Sequence, residues 1–206
     1  LPTDLPYQCL DGSRWNEDFE AEVYIGRISA EALSGFANHV EKIIHYETSS
    51  GEYLETSLSL GEKLDEQTYA KACLQQIEAI FPYDFQHDHL YDTDGTWSKY
   101  DAIEMINTSR YSVVNHFGHS LTDYAMKMKN TDVPMLTNSN YSIVKSQGCI
   151  PGAFDRDCFA EEITNTGNGG MFAAVMNSRY GWYQPGNPTQ GSSHHLHMDF
   201  WYACWD

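Results

Sequence analysis

Residues 141–176, YSIVKSQGCIPGAFDRDCFAEEITNTGNGGMFAAVM, indicate the fold class of this chain more clearly than any other stretch. Two short apolar runs, residues 141–146 (YSIVKS) and 171–176 (MFAAVM), flank residues 157–164 (DCFAEEIT), whose pattern is typical of a helix. Two strands joined through a helix pair in parallel. Because MFAAVM is almost continuously apolar, it is typical of a strand buried on both faces. The stretch therefore predicts an open α/β sheet.

The same alternation of strands and helices continues toward both ends of the chain. Ser29 is a candidate N-cap, and the residues after it at helical spacing are Leu33, Phe36, Val40, Ile43 and Ile44. The further predicted strands are residues 21–29, 55–61, 85–91 and 111–116, and the further predicted helices are residues 29–47, 65–81, 100–106 and 192–205. We expect one α/β domain over residues 1–206, with an irregular lead-in over residues 1–20. Its open, mostly parallel sheet has about six strands and helices on both faces.

Charge and composition exclude two classes of partner. The 206 residues include 12 basic and 29 acidic side chains, which gives a formal net charge of −17. Such a field repels a phosphate backbone, so we expect no nucleic-acid partner, whereas basic peptides and divalent cations are attracted. No apolar stretch approaches the ~18 residues that a membrane span needs, so no span is predicted.

Reactive side chains follow two of the predicted strands. Residues 111–116 lead into His116 and His119, and residues 141–146 lead into Cys149. Active sites of open parallel sheets lie beyond the carboxyl ends of the strands, and a nearby imidazole activates a thiol. The glycines beside the cysteine allow a sharp turn with free N–H donors. We therefore predict a nucleophilic Cys149, with a buried structural cysteine as the alternative.

These residues also carry a family resemblance. GHS (residues 118–120), about thirty residues before GCIPGAFDRDCFAEEI (residues 148–163), resembles the catalytic core of the gingipain family of cysteine peptidases, peptidase family C25. The further similar segments, in order, are residues 2–12 (PTDLPYQCLDG), 21–31 (AEVYIGRISAE), 42–47 (KIIHYE) and 175–182 (VMNSRYGW). The resemblance spans nearly the whole chain and implies the caspase-like fold.

The resemblance implies roles for four residues. Cys149 corresponds to the nucleophile and His119 to the general acid and base. Glu62 corresponds to the acid that orients the catalytic histidine, although a glutamate in that loop is otherwise simply solvated. His116 then becomes a packed neighbour on the strand, and an exchange of roles between the two histidines is the alternative.

The resemblance also implies that an oxyanion is held by the backbone N–H groups of Ser120 and Cys149. Ser120 departs from the family pattern, in which glycine usually follows the histidine. A backbone N–H survives that change. If the position requires a positive φ, however, a serine there is strained and the geometry of the donor suffers.

Two residues are implied for substrate recognition. Members of the family cleave after basic residues, using a carboxylate and a tryptophan wall in the pocket. Asp65 matches the carboxylate and Trp182 the wall, where a flat aromatic face holds a basic side chain. The alternatives are an N-cap role for Asp65 and packing onto the core for Trp182. We expect cleavage after Arg or Lys.

Metal binding has weaker support. The candidate zinc cluster comprises His194, His195, His197 and Asp199, and no fixed motif such as HExxH is present. Residues 84–89 (DFQHDH) carry two further histidines, and residues 92–95 (DTDG) open like a calcium loop but lack the remaining ligands. The resemblance requires no cofactor and allows a structural calcium ion. No metal ligands are assigned.

The leading hypothesis is a cysteine endopeptidase that acts through a Cys-His dyad and a thioester acyl-enzyme, with protein or peptide substrates that contain basic residues. The alternatives are a sortase-like transpeptidase of the same family, or an inactive or metal-binding relative that acts as a binding module. The resemblance implies a secreted or cell-surface protein, although no signal peptide is visible in this chain.

Overall fold

A computed structural model describes residues 4–8 and 22–205 of the chain, apart from the side chains of residues 5 and 6. The helices are α1 (Leu5–Gln8), α2 (Leu33–Thr48), α3 (Lys71–Glu78), α4 (Lys99–Asn107), α5 (Phe159–Asn165) and α6 (Ser192–Trp205). The strands are β1 (Thr56–Gly61), β2 (Gln86–Tyr91), β3 (Val113–Phe117), β4 (Tyr124–Ala125), β5 (Met128–Lys129), β6 (Ser142–Ser146) and β7 (Met171–Met176). Most of the lead-in predicted over residues 1–20 lies outside the described residues.

Five of the strands form one parallel sheet in the order β2-β1-β3-β6-β7. In the pairing of β3 with β6, Val113 lies opposite Ile143 and His116 lies opposite Ser146. The carboxyl ends of these two strands are therefore neighbours. The strands β4 and β5 form a separate antiparallel hairpin, which the sequence did not reveal.

Helices cover both faces of the sheet, as predicted. One core combines Val114 and Val144 of the sheet with the apolar sides of α4 and α5. The other combines Val113 and Phe117 with α3 and with Trp201 of α6. The architecture is the open α/β sheet expected of a caspase-like fold. No helix in the described part of the chain is long and apolar enough to cross a lipid bilayer.

The helix α2 packs through a different face from the one its apolar pattern suggests. The exposed residues of that pattern are Leu33, Phe36 and Ile44. His39 and Lys42 are buried instead: the Nε2 atom of His39 lies 2.9 Å from the carbonyl oxygen of Phe172, and the Lys42 ammonium donates to the carbonyl oxygen of Thr164 at 2.9 Å. These bonds fix the rotation of the helix about its axis.

Two boundaries near the amino-terminal end differ from the prediction. Within the described part of residues 21–29 no strand forms, so the sheet has five strands, and residues 25–29 line a cavity of about 650 Å³ with the edge strand β7. Ser29 is not the N-cap of α2, because the helix begins at Leu33 and the Ser29 hydroxyl donates to a carboxylate oxygen of Glu161.

Candidate active site

The loops that follow β3 and β6 are in contact. Gly148 lies so close to the β3 loop that a Cβ atom at its position would stand 1.9 Å from the Ser120 Oγ and 3.2 Å from the Gly118 carbonyl oxygen. Only glycine fits there without displacing the neighbouring loop. The close approach brings the turn that carries Cys149 against the turn that carries His119.

The cysteine turn is also fixed from the other side, by the segment that follows β7. The Asn177 side-chain amide donates to the carbonyl oxygens of Gln147 and Gly148, at 3.1 and 2.9 Å. The Cys149 thiol is partly exposed, and its sulfur lies 3.6 Å from the carbonyl oxygen of Gly181. The thiol therefore sits at the junction of two loops with one side open.

Backbone strain lies one residue after the cysteine. Ile150 has a φ of 56°, in the left-handed region that β-branched residues rarely adopt. Its N–H donates to the carbonyl oxygen of Arg179 at 2.9 Å, which helps to hold the turn. Ser120 is not among the described non-glycine residues with a positive φ, so the strain considered for that position does not arise.

Two of the other described cysteines, Cys73 and Cys158, are buried, whereas Cys204 is exposed. Burial raises the pKa of Cys73 to about 12 and that of Cys158 to about 11, and it also raises the pKa of Cys204. Each is therefore a neutral thiol at physiological pH. All four described cysteines are free, while Cys9 lies outside the described residues.

His119 is exposed, and the backbone of the loop after β1 orients it. Its Nε2 lies 2.8 Å from the carbonyl oxygen of Leu64, and its backbone N–H donates to Glu62 Oε2 at 3.2 Å. With Nε2–H donating to that carbonyl, Nδ1 carries the free lone pair. The sequence did not reveal the role of Leu64, because a backbone carbonyl leaves no signal in residue type. Glu62 bonds to the backbone of His119 and not to its ring.

Glu62 also begins a buried chain of hydrogen bonds. Its Oε1 lies 3.0 Å from the Nε2 of His116, whose Nδ1 lies 2.8 Å from the Ser146 Oγ. The Gly148 N–H donates to that same Oγ at 3.1 Å. His116 is therefore a packed, hydrogen-bonded neighbour with both ring nitrogens engaged.

The candidate oxyanion donors are the N–H groups of Ser120 and Cys149. Neither group donates a hydrogen bond to any acceptor in the described part of the chain. The hydroxyl of Ser120 and the side-chain amide of Gln147 are likewise buried without a partner among the described residues. This corner of the fold therefore holds several unused polar groups next to Cys149.

The loops that carry Asp65 and Trp182 adjoin each other. The Tyr183 hydroxyl donates to Asp65 Oδ2 at 3.0 Å, and the Gln67 N–H donates to Oδ1 at 2.8 Å. These bonds, the one from Gln67 first, lower the pKa of the Asp65 carboxyl below its ordinary value. The side chain of Trp182 is 67% exposed, so it does not pack onto the core. Asp65 does not cap α3, because that helix begins at Lys71.

The candidate metal ligands do not converge. No group of three or more His, Cys, Asp and Glu side chains within residues 4–8 and 22–205 could hold a metal ion. His194 and His197 instead bond to the side chains of Gln76 and Asn115, at 2.8 and 3.0 Å. The acids of the DTDG turn, Asp92 and Asp94, pair with lysines. A structural calcium ion stays a prediction without assigned ligands.

The fold and the site define an α/β protein with an open parallel sheet, in which touching loops carry a partly exposed cysteine and an oriented histidine. The chain belongs to peptidase family C25, whose sequence model matches residues 1–206.

Individual relatives agree with that assignment. The chain is 28% identical over 186 residues to Lys-gingipain HG66 of Porphyromonas gingivalis, an alignment that covers 85% of this chain and 10% of the relative. It is 28% identical over 192 residues to Lys-gingipain W83 of the same organism, with the same coverage. A solved structure described as "Structure of Protease" superposes with a TM-score of 0.69 at 22% identity, covering 87% of this chain and 41% of that one. This chain thus spans about a tenth of the length of the curated relatives.

Proposed function

We propose that this chain is a cysteine endopeptidase in which Cys149 is the nucleophile and His119 the general acid and base. The observation that carries the proposal is the contact between the two loops, with His119 Nε2 held by the Leu64 carbonyl oxygen at 2.8 Å. Family membership supports the reaction class.

In the proposed reaction the Cys149 sulfur attacks the carbonyl carbon of a peptide bond while its proton passes to His119 Nδ1. A C–S bond forms, and the carbonyl π electrons move to the oxygen. When the oxyanion collapses, the C–N bond breaks and His119 gives the proton to the leaving amine. Water then attacks the thioester, His119 takes a proton from it, and the proton returns to the departing sulfur.

The oxyanion is assigned to the backbone N–H groups of Ser120 and Cys149, since neither has an acceptor in the described part of the chain. Pre-placed donors of this kind stabilise the charge that develops in the transition state.

Specificity for Arg or Lys is assigned to Asp65 and Trp182. Their loops are joined by the bond from Tyr183, and Asp65, like an ordinary aspartate, offers a carboxylate at neutral pH. The net charge of −17 attracts basic substrates over a longer range. By family resemblance we further propose that the protein acts outside the cell.

Fluorogenic peptides that end in Arg or Lys test the proposal. We expect wild-type protein to cleave them, Cys149→Ala to be inactive and the control Cys204→Ala to retain activity. An arginyl or lysyl electrophile should label Cys149 alone. Full activity in Cys149→Ala would overturn the assignment. Products formed only with an added amine acceptor would indicate a transpeptidase, and tight peptide binding without turnover a binding module.

A further inference from the structure

We propose that His116 and Ser146 are positioning residues that hold the backbone of the cysteine turn in its reactive geometry. Both side chains are completely buried. The proposal rests on the proposed function, because it assigns a role in catalysis to a buried chain of hydrogen bonds. The bonds themselves do not depend on that function.

The chain of bonds has a defined direction. A carboxylate oxygen only accepts, so with Glu62 Oε1 as the acceptor the Nε2–H of His116 donates to it across 3.0 Å. With the ring proton on Nε2, Nδ1 is the acceptor for the Ser146 hydroxyl across 2.8 Å. The oxygen of that hydroxyl accepts the Gly148 N–H across 3.1 Å. In this arrangement every donor of the chain faces an acceptor.

One carboxylate thereby supports both reactive loops. Oε2 of Glu62 accepts the backbone N–H of His119 at 3.2 Å, while Oε1 reaches the cysteine turn through His116 and Ser146. Gly118 permits this arrangement, because a Cβ atom there would stand 2.3 Å from the Glu62 carboxyl carbon. A single buried carboxylate is therefore linked by hydrogen bonds to both turns.

The cysteine turn needs such a support because its own conformation is unfavourable. Ile150, one residue after Cys149, has a positive φ that is unfavourable for a β-branched residue. The hydrogen bond from the Gly148 N–H to the Ser146 hydroxyl, one residue before Cys149, holds the turn against this strain. If the Ser146 hydroxyl is lost, the turn relaxes away from the His119 loop. A displacement of 1 Å between reacting groups is enough to lower a rate about 100-fold.

Ser146→Ala tests the proposal, with Ser142→Ala as the matched control. Ser142 lies on the same strand and the same face of the sheet, is equally buried, and donates to the Tyr111 carbonyl oxygen at 2.7 Å, away from the cysteine turn. We expect Ser146→Ala to lower kcat about 10- to 100-fold with KM changed less than about twofold. Ser142→Ala should lower the melting temperature similarly while leaving kcat unchanged.

Two further measurements complete the test. In a cycle with His116→Gln, the double variant should be no slower than the slower single variant, because either change breaks the same chain. If His116→Gln does not fold, the comparison of the two serine variants decides. An unchanged kcat in Ser146→Ala, or a loss shared equally by Ser142→Ala, would overturn the positioning role.

Amide hydrogen exchange separates this proposal from the proposed function. Ser146→Ala should speed exchange of the Gly148 amide, and Ser142→Ala should leave it unchanged, whether or not a peptide is cleaved. If Ser146→Ala speeds exchange of the Gly148 amide but the protein has no peptidase activity, the proposed function is refuted and the structural support of the cysteine turn stands. Unchanged exchange with normal peptidase activity would refute only the support.

Discussion

The imidazole Nε2 of His119 lies 2.8 Å from the backbone carbonyl oxygen of Leu64. A carbonyl oxygen cannot take up a proton at physiological pH, so it fixes the tautomer of the ring without competing for the proton that His119 transfers in the proposed reaction. The orientation of His119 therefore depends on the path of the loop after β1, in which Ala70 N–H donates back to the Glu62 carbonyl oxygen at 3.0 Å.

Replacing His119 should abolish proton transfer while leaving the fold intact, since the side chain is exposed. We expect His119→Ala to lower kcat about 10²- to 10⁴-fold, the range that general acid and base catalysis supplies. The measurement is steady-state turnover of an arginyl or lysyl peptide. His195→Ala, at an exposed histidine of α6, is the control and should retain full turnover. Equal losses in the two variants would remove His119 from the mechanism.

Adding a methyl group at Gly148 should force the two reactive loops apart. Gly148→Ala places a Cβ atom 1.9 Å from the Ser120 Oγ, and overpacking of this kind costs about 1–3 kcal/mol. Thermal unfolding and peptide turnover should both show the loss. Adding Ser120→Gly removes the clashing side chain and should restore part of both quantities. If the second change brings no recovery, the two loops do not touch as described.

The ionised Asp65 should determine the preference for basic residues. Asp65→Asn should lower kcat/KM for Arg and Lys peptides about 10- to 100-fold, the value of a hydrogen bond to a charged group, with little effect on a Gln peptide. Glu66→Gln removes a neighbouring exposed carboxylate and should leave all three rates unchanged. A loss spread evenly over the three peptides would indicate a structural role for Asp65.

The buried Lys42 should make stability depend on pH. Burial lowers its pKa from 10.5 to about 8, so the unfolded chain binds more protons than the folded one between these values. The contribution of Lys42 to the free energy of unfolding therefore rises as the pH increases from about 8 to about 10.5. Below pH 8 the folded protein bears the full free-energy cost of burying the charged ammonium. Relative to wild type, Lys42→Met should lose up to about 3 kcal/mol of stability between pH 7 and 10.5.

Urea unfolding of the two proteins at several pH values measures this difference and cancels the other titrating groups. Lys63→Met, at an exposed lysine, is the control and should differ from wild type by an amount nearly independent of pH. A Lys42→Met difference that stays constant across the same range would show that the buried lysine does not titrate there.

The sequence was sufficient for the parallel sheet, because apolar runs such as β7 and the helices between them obey local rules of spacing. It also placed Cys149 and His119 on neighbouring loops, since β3 and β6 are adjacent and parallel. The sequence did not predict how α2 is rotated about its axis. His39 and Lys42 are polar side chains, and they are buried because they bond to carbonyl oxygens more than 100 positions away in the sequence.

Long-range backbone contacts explain the remaining differences. His119 lies 55 positions from Leu64, whose carbonyl oxygen orients its ring. His116 lies 54 positions from Glu62, the first residue of the chain of bonds that ends at Gly148. The family resemblance implied Glu62 as the acid that orients the histidine, but it did not tell whether the carboxylate bonds to the ring or to the backbone of His119. Only the three-dimensional structure shows that the carboxylate accepts the backbone N–H of His119.

Ile150 has a consequence for the evolution and engineering of this chain. A residue with a left-handed backbone and a branched side chain disfavours folding by roughly 1–3 kcal/mol, and asparagine or glycine in its place would relieve that. A search for variants with a higher melting temperature should therefore return to this position repeatedly. Such variants should also depend less on the Ser146 hydroxyl, because the backbone one residue after Cys149 would then favour the geometry that the bond at Gly148 supports.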